Sequence, residues 1–366
     1  MKGKNFKFCR MNTYAKMGRA SFTVLPLFLA AFALCATPAQ PPAQNVPPVS
    51  RPADGSAASP QLAEARALLQ QARIAEAEQA VRRYLADQPE SPDGHYLLGL
   101  ILFRQIQSGA SLEGLTQGAQ YNPLDPELTA AARKNAAASL AEYTAGARYR
   151  KPSAADLKIV ALDYIILGDY ADADKWLTQA LEWNSRDADS WYYLGRTKYS
   201  ENRFAEAIRA FQKCLELDPK NIKAEDNLGL SYEGLGKIDE AIAAYQTAIS
   251  WQEGNGAAGV SAGPYLDLGS LLLDQNRSRD ALPPLQRAAE IAPRESRVHE
   301  KLGKAYAETN RLSEAQKELE EAVKLAPGNG RLHFMLGQVY RRQGLLEKAK
   351  AEMELSGRLD GGRSTP

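Results

Sequence analysis

With 366 residues and 44% hydrophobic content, the chain can bury a sizeable core, and its formal net charge of +1 is unevenly placed. Lys2, Lys4, Lys7, Arg10, Lys16 and Arg19 all precede Ser21 without a single acid, so the remainder carries net −5. A mildly acidic body argues against non-specific attraction to nucleic acid or anionic lipid.

The basic start runs into FTVLPLFLAAFALCA, Phe22 to Ala36, and then into polar, proline-rich sequence, which is the order of a secretory signal. As a helix this run spans roughly 22 Å, short of the roughly 30 Å of a bilayer core, and Pro26 weakens it further. Residues 1–36 are therefore expected to be an export signal, with an uncleaved membrane anchor at 22–36 as the alternative. Small residues suit cleavage after Ala33, Ala36 or Ala39, whereas Leu34 is too large for a lipoprotein site at Cys35. Export would place the protein in the periplasm or cell envelope of a bacterial source. Residues 37–60 hold Pro38, Pro41, Pro42, Pro47, Pro48, Pro52 and Pro60, and read as an extended, solvated linker.

From residue 61 to 359 the chain repeats itself. The clearest unit is ADSWYYLGRTKYSENRFAEAIRAFQKCLELDPKN, Ala188 to Asn221, which reads as two helices pressed together and then stopped at Pro219. Val160-Ala161, Leu194-Gly195 and Leu228-Gly229 are spaced by 34 residues, as are Ala173, Ala207 and Ala241. After an excess of six residues within 252–263, the spacing resumes through Gly269, Gly303 and Gly337 and through Ala281, Ala315 and Ala349. An earlier pair carries Ala65 and Ala77. The next opens with HYLLGLILF around Gly99 and is interrupted at about 108–126, closed by the helix start Asp125-Pro126-Glu127, so that Leu98 to Val160 is 62 residues, one period of 34 plus 28. Residues 360–366 form a polar tail. A helix-interior glycine costs about 1 kcal/mol relative to alanine, so its recurrence needs compensation. Close approach of the second helix, with its alanine twelve residues on, is the simplest account.

The pattern Trp191-x-x-Leu194-Gly195, Ala207, Phe211, Pro219 resembles the tetratricopeptide repeat, and the likeness extends over about residues 58–359. The resemblance implies an all-α solenoid of about eight helix hairpins forming a right-handed superhelix. Two departures stand out besides the insertions: Lys198 occupies a place usually aromatic, and Pro283-Pro284 falls inside a second helix, which should begin late or bend there.

Few residues offer chemistry. His95, His299 and His333 share one repeat position, which makes them packing residues rather than a metal or catalytic pair. Cys214 lies among Phe211, Leu215 and Leu217 and reads as a structural thiol; Cys9 and Cys35 fall in the leader. Gly254 to Gly259 spells G-x-G-x-x-G, but a dinucleotide site needs a strand before it, and here an amphipathic helix precedes. Neither catalytic residues nor a cofactor or metal is expected.

A surface remains. In each first helix one stripe is used for packing and a second, at 3-4-3 spacing, faces outward. By the resemblance, that stripe lines a groove for partner proteins, as extended peptide segments or helices. It supplies Tyr96, Phe103, Ile165, Tyr192 and Tyr199, with Tyr193 beside them, at one end. Asp226, Asn227, Glu233 and Asp274 stand in the middle, and Arg297, Lys301, Lys304, Arg331, Arg341 and Arg342 at the far end. An apolar-anchored segment with an acidic end would suit it. The family's carboxylate clamp is incomplete: Asn227 matches its middle element, but Tyr192 and Arg196 before it and Gly263 and Asp267 after it do not. The expected function is a non-enzymatic scaffold. Alternatives are an assembly or chaperone factor for envelope machinery, or an accessory subunit of a glycosyltransferase-type enzyme, for whose catalytic domain the short tail leaves no room.

Overall fold

A computed structural model describes residues 59–109, 126–254 and 260–361. The leader, the linker before residue 59, residues 110–125 and 255–259 of the two insertions and residues 362–366 lie outside the described residues. Contacts divide the chain into 1–55 and 56–366, and every described residue belongs to the second unit.

That unit is all-α, an α-solenoid of hairpins stacked in chain order, and the described residues form sixteen helices. The first helix of each pair is α1 (Pro60–Gln70), α3 (Pro92–Gly109), α5 (Ala154–Leu167), α7 (Ala188–Ser200), α9 (Ile222–Gly234), α11 (Gly263–Asp274), α13 (Ser296–Glu308) and α15 (Gly330–Arg342). The second is α2 (Ile74–Asp87), α4 (Pro126–Ala147), α6 (Tyr170–Trp183), α8 (Phe204–Leu217), α10 (Ile238–Gly254), α12 (Ser278–Ile291), α14 (Leu312–Leu325) and α16 (Leu346–Gly361). Several starts are fixed by side chains that accept otherwise orphaned first-turn N–H groups. Asp169 and Asn221 cap α6 and α9, and at α5 Ser153 and Asp156 form a reciprocal capping box.

Inside the pairs, the contact is made by large residues sixteen places after each glycine. A Cβ at Gly195 would meet the Phe211 ring at 2.6 Å, at Gly229 the Tyr245 ring at 2.5 Å, at Gly269 Leu285 at 2.5 Å, at Gly303 Leu319 at 2.7 Å and at Gly337 Met353 at 2.9 Å. The alanine twelve residues on is buried as well, and its backbone closes the crossing: the Ala315 carbonyl lies 3.4 Å from the Cβ position of Gly303. Each glycine thus makes room for a ring, a branched side chain or, at Met353, a long unbranched one, with the alanine allowing the backbones to approach.

The first insertion leaves this geometry untouched. Gly99 on α3 meets Tyr143 on α4 at 2.8 Å and the Ser139 carbonyl at 3.3 Å, the same two contacts made 28 residues later in the chain. So α4 is the second helix of the second pair, displaced in sequence and not in space. Across the second insertion, Gln252 is buried and ties α10 to the run into α11, donating to the Ser261 carbonyl at 3.1 Å and accepting from its N–H at 3.0 Å.

Every described turn within a pair carries one residue in the left-handed region: Ala72, Gly168, Asn202, Gly236, Asn276, Asn310 and Gly344, with φ between 57° and 85°. The next N–H then reaches back to the helix, as Arg203 does to the Lys198 carbonyl at 2.8 Å.

The proline pair does not delay its helix. α12 starts at Ser278, nine residues after Gly269, in register with every other second helix from α6 onward, and both Pro283 and Pro284 lie inside it. Pro283 is exposed, so a carbonyl that loses its donor there faces water, which lowers the cost of the missing hydrogen bond. Lys198 also keeps its place. It is buried, and its ammonium lies 2.5 Å from Asp174 Oδ2, which also accepts from Arg203 at 2.8 Å, so an ion cluster replaces the aromatic contact.

Candidate functional site: the face of the first helices

Successive first helices touch each other from α1 to α15, whereas second helices make no comparably close approach, so the first helices line one side of the array. Along it the two ends differ in kind.

The aromatic end is packed. Phe103 and Ile165 belong to one core cluster, Tyr96 stacks on Tyr143 at 5.8 Å and donates to the Arg150 carbonyl, and Tyr192 lies 6.0 Å from Phe211. All four are buried. Tyr193 and Tyr199 are half-buried, the latter edge-on to Phe204 at 5.4 Å. A notch among Ile165, Tyr170, Tyr193, Arg196, Thr197 and Ser200 has about 10 Å³ of free volume, room for one water and not for a partner's side chain. The large apolar group open on this face is Phe334 on α15, 46% exposed and three residues from Arg331.

The charged part is open and uneven. On α9, Asp226 and Glu233 lie two turns apart on one stripe; on α11, Asp267, Ser270 and Asp274 do the same; on α13, Arg297, Lys301 and Lys304 follow. Asp226 Oδ1 is buried and finds no hydrogen-bond donor within the protein, and neither does the Oγ of Ser270, which is 9% exposed. Burial pushes the Asp226 carboxyl well above its ordinary range, and the facing charge of Asp267 adds to this. Asp267 is raised as well, again chiefly by burial, with Arg297 opposing from 3.8 Å. Glu233 is raised by burial against a hydrogen bond of 3.0 Å from the Tyr245 hydroxyl. Burial lowers Lys301, which makes no ion pair within 4.0 Å among the described residues, while Lys304 pairs with Asp274 at 3.7 Å. Asn227 donates to the Lys223 carbonyl of its own helix at 2.8 Å. Arg331 pairs with Glu300 at 3.1 Å, Arg342 binds the turn of the preceding pair through the Ala307 carbonyl at 2.8 Å, and Arg341 is exposed.

The geometry brings together Asp226, Glu233, Asp267, Ser270, Arg297 and Lys301. Of these, Ser270 was not marked by the stripe pattern, because a serine on a helix carries no charge signal and its importance depends on what surrounds it. Asp163 was likewise silent. It stands two residues after the small-residue place, where the other pairs carry Ile101, Thr197, Ser231, Leu271, Ala305 and Val339. A charge among those uncharged residues is the signal that would have found it.

The three histidines repeat one device of their own. His95, His299 and His333 point Nδ1 at Glu142, Glu318 and Glu352 at 2.6 to 2.7 Å, and Nε2 at the carbonyls of Pro89, Pro293 and Pro327 at 2.8 to 3.0 Å. An imidazole serves two acceptors fully only when both nitrogens carry protons. At His299 the Glu318 hydrogen bond raises the pKa above its ordinary 6.5, with burial opposing. The stability this adds is complete below pH 6.5 and is lost as pH rises through the raised value. His299→Gln is expected to remove about 1.5 kcal/mol of stability at pH 6 and less at pH 9, read as denaturation midpoints at the two pH values. Among the described residues no group of three or more His, Cys, Asp or Glu side chains could hold a metal ion. Cys214 is buried with its thiol pushed up to about 12, chiefly by burial, so it is unreactive. The glycine-rich run is preceded by α10, which extends to Gly254, and its remaining residues lie outside the described ones.

Profiles of the tetratricopeptide repeat match residues 62–111, 188–221, 226–255, 266–315 and 301–354, more than half of the chain and in register with the hairpins above. The chain belongs to the tetratricopeptide repeat family. Among curated relatives, the peroxisomal targeting signal receptor of Komagataella phaffii is 31% identical over 118 residues, 31% of this chain and 19% of that protein. Anaphase-promoting complex subunit 3 of Schizosaccharomyces pombe is 28% identical over 138 residues, 38% of this chain and 20% of that one. The chain thus spans about a fifth of the length of these relatives. The fold is shared with the crystal structure of the APC/C hetero-tetramer Cut9-Hcn1, at a TM-score of 0.50 and 15% identity over 82% of this chain and 52% of that one. Among the described residues, no helix of this repeat protein is long and apolar enough to cross a membrane.

Proposed function

We propose that this repeat protein is a non-enzymatic scaffold that binds segments of other proteins along the face of its first helices. The observation that carries the reading is the run of polar and charged side chains presented by α9, α11 and α13, two of which, Asp226 and Ser270, bury an oxygen without a donor, on an array whose aromatic end is used for packing. Affinity for such a segment comes from a few desolvated anchors. The anchors on this reading are Lys301, Arg341 and the exposed ring of Phe334, with the ion-paired Arg297, Lys304 and Arg331 beside them, rather than the packed tyrosines. Membership of the family supports protein partners, and a relative that is by name a targeting signal receptor supports a peptide-sized ligand.

The basic, acid-free start followed by Phe22 to Ala36 supports action outside the cytoplasm, in the periplasm or cell envelope of a bacterial source. Affinity capture from envelope and cytosolic fractions tests both parts. Wild type is expected to retain specific proteins from the envelope fraction, and Lys301→Glu/Lys304→Glu, with its helix content unchanged, is expected to lose them. Equal recovery by the variant would remove the face as the binding surface. Recovery from the cytosolic fraction alone would remove the location.

A further inference from the structure

The mixed-charge cluster between α9, α11 and α13 is more selective than a generally polar surface. Its two carboxyls, Asp226 and Asp267, come from adjacent first helices and face each other. One Asp226 oxygen is buried without a donor, and Ser270, one turn along α11 from Asp267, buries a hydroxyl oxygen that is also unpartnered. Gly263 opens α11 beside them, and a Cβ there would stand 3.2 Å from Asp226 Oδ2, so the absent side chain keeps that carboxyl uncovered from this side. Buried acceptors without donors are costly, and two facing carboxyls add mutual repulsion. One incoming cation with several N–H groups would answer both unpartnered oxygens and the charge of Asp267. Arg297 lies 3.8 Å from Asp267, while the Asp226 and Ser270 oxygens are still without a donor. Lys301 on the next first helix presents the opposite need: its half-buried ammonium lacks a carboxylate within ion-pair distance.

We propose that the recess of Asp226, Asp267 and Ser270 receives one basic side chain, a lysine or arginine, of an extended partner segment, and that Lys301 receives an acidic side chain of the same segment. This rests on the reading of the first-helix face as a peptide-binding surface. Packed helices lie about 8–10 Å apart and an extended chain rises about 3.3 Å per residue. The basic and acidic residues of the segment are therefore separated by about three positions. Such a partner differs from a terminal-carboxylate ligand, which needs no cation and would be repelled by the two aspartates.

Selection of random peptides displayed on phage against the full chain tests the assignment. Enriched peptides are expected to carry Lys or Arg with Asp or Glu about three residues away. When labelled and titrated, they should bind Asp226→Asn/Asp267→Asn roughly thirtyfold or more weakly than wild type, with a smaller loss for Ser270→Ala. Both substitutions keep the shape of the side chain, and circular dichroism would show the helices intact. In Lys301→Glu the preference for the acidic residue should disappear while that for the basic residue persists. Enriched peptides that lack a basic residue, or that bind the double variant as tightly as wild type, would overturn the cation recess and leave the peptide-binding face standing. Failure to enrich any peptide would overturn both.

Discussion

Asp163→Asn is expected to make the protein more stable at pH 8 and to flatten its dependence on pH. Asp163 lies on α5 with no exposed surface, and neither carboxylate oxygen has a hydrogen-bond donor. The neighbouring Ser139 hydroxyl is given to the Gly99 carbonyl at 3.0 Å, so it does little to stabilise the anion. Burial therefore pushes the carboxyl from an ordinary 3.8 to about 8. Between those values the folded chain keeps a proton that the unfolded chain has released, and stability falls by about 1.4 kcal/mol per pH unit. From pH 5 to pH 8 the loss from this one group is of the order of 3–4 kcal/mol. Asparagine has the same shape and cannot ionise, so the variant should lose this slope. Urea midpoints followed by tryptophan fluorescence are a suitable measure, because Trp176, Trp183 and Trp191 lie on α6 and α7, next along the array. Parallel pH profiles for wild type and variant would show that Asp163 is satisfied in some way the packing does not reveal.

Gly229→Ala is expected to destabilise by about 2–3 kcal/mol, against the helix propensity that favours alanine. The added carbon would sit 2.5 Å from the Tyr245 ring. That ring cannot move aside, being fully buried with its hydroxyl held at 3.0 Å by Glu233. Gly357 on α16 provides the opposite case, since nothing lies within 4 Å of its missing Cβ and the residue is exposed. There alanine should stabilise by about 0.5–1 kcal/mol. Equal effects at the two sites in thermal or urea unfolding would mean that the crossing is not set by the ring.

The hairpin architecture was legible because Gly195, Gly229 and their counterparts recur in step, and a repeated steric demand leaves a repeated letter. The partner of each glycine was read one turn short. Alanine twelve residues on is invariant enough to be noticed, whereas the group sixteen residues on varies among Phe211, Tyr245, Leu285, Leu319 and Met353, and only distance shows that they fill one role. The aromatic stretch was harder. Tyr96 and Tyr192 lie on the stripe that solvent would see on an isolated helix, but α4 and α8 come close enough to cover them, and a helical wheel contains no neighbours. Charges such as Arg297 and Lys301 are legible on the stripe because burying an unpaired charge is costly enough to keep it near water. That Lys301 is short of a carboxylate depends on the adjacent helix and is invisible in one dimension.

The second hairpin closes although its two strokes are far apart in the chain. α3 and α4 meet through Gly99, Tyr143 and Ser139, contacts that do not depend on the peptide joining them. A chain cut between Gly109 and Pro126 would therefore keep its halves associated by side-chain complementarity, and foreign sequence spliced there would be carried as cargo without altering the pitch of the stack.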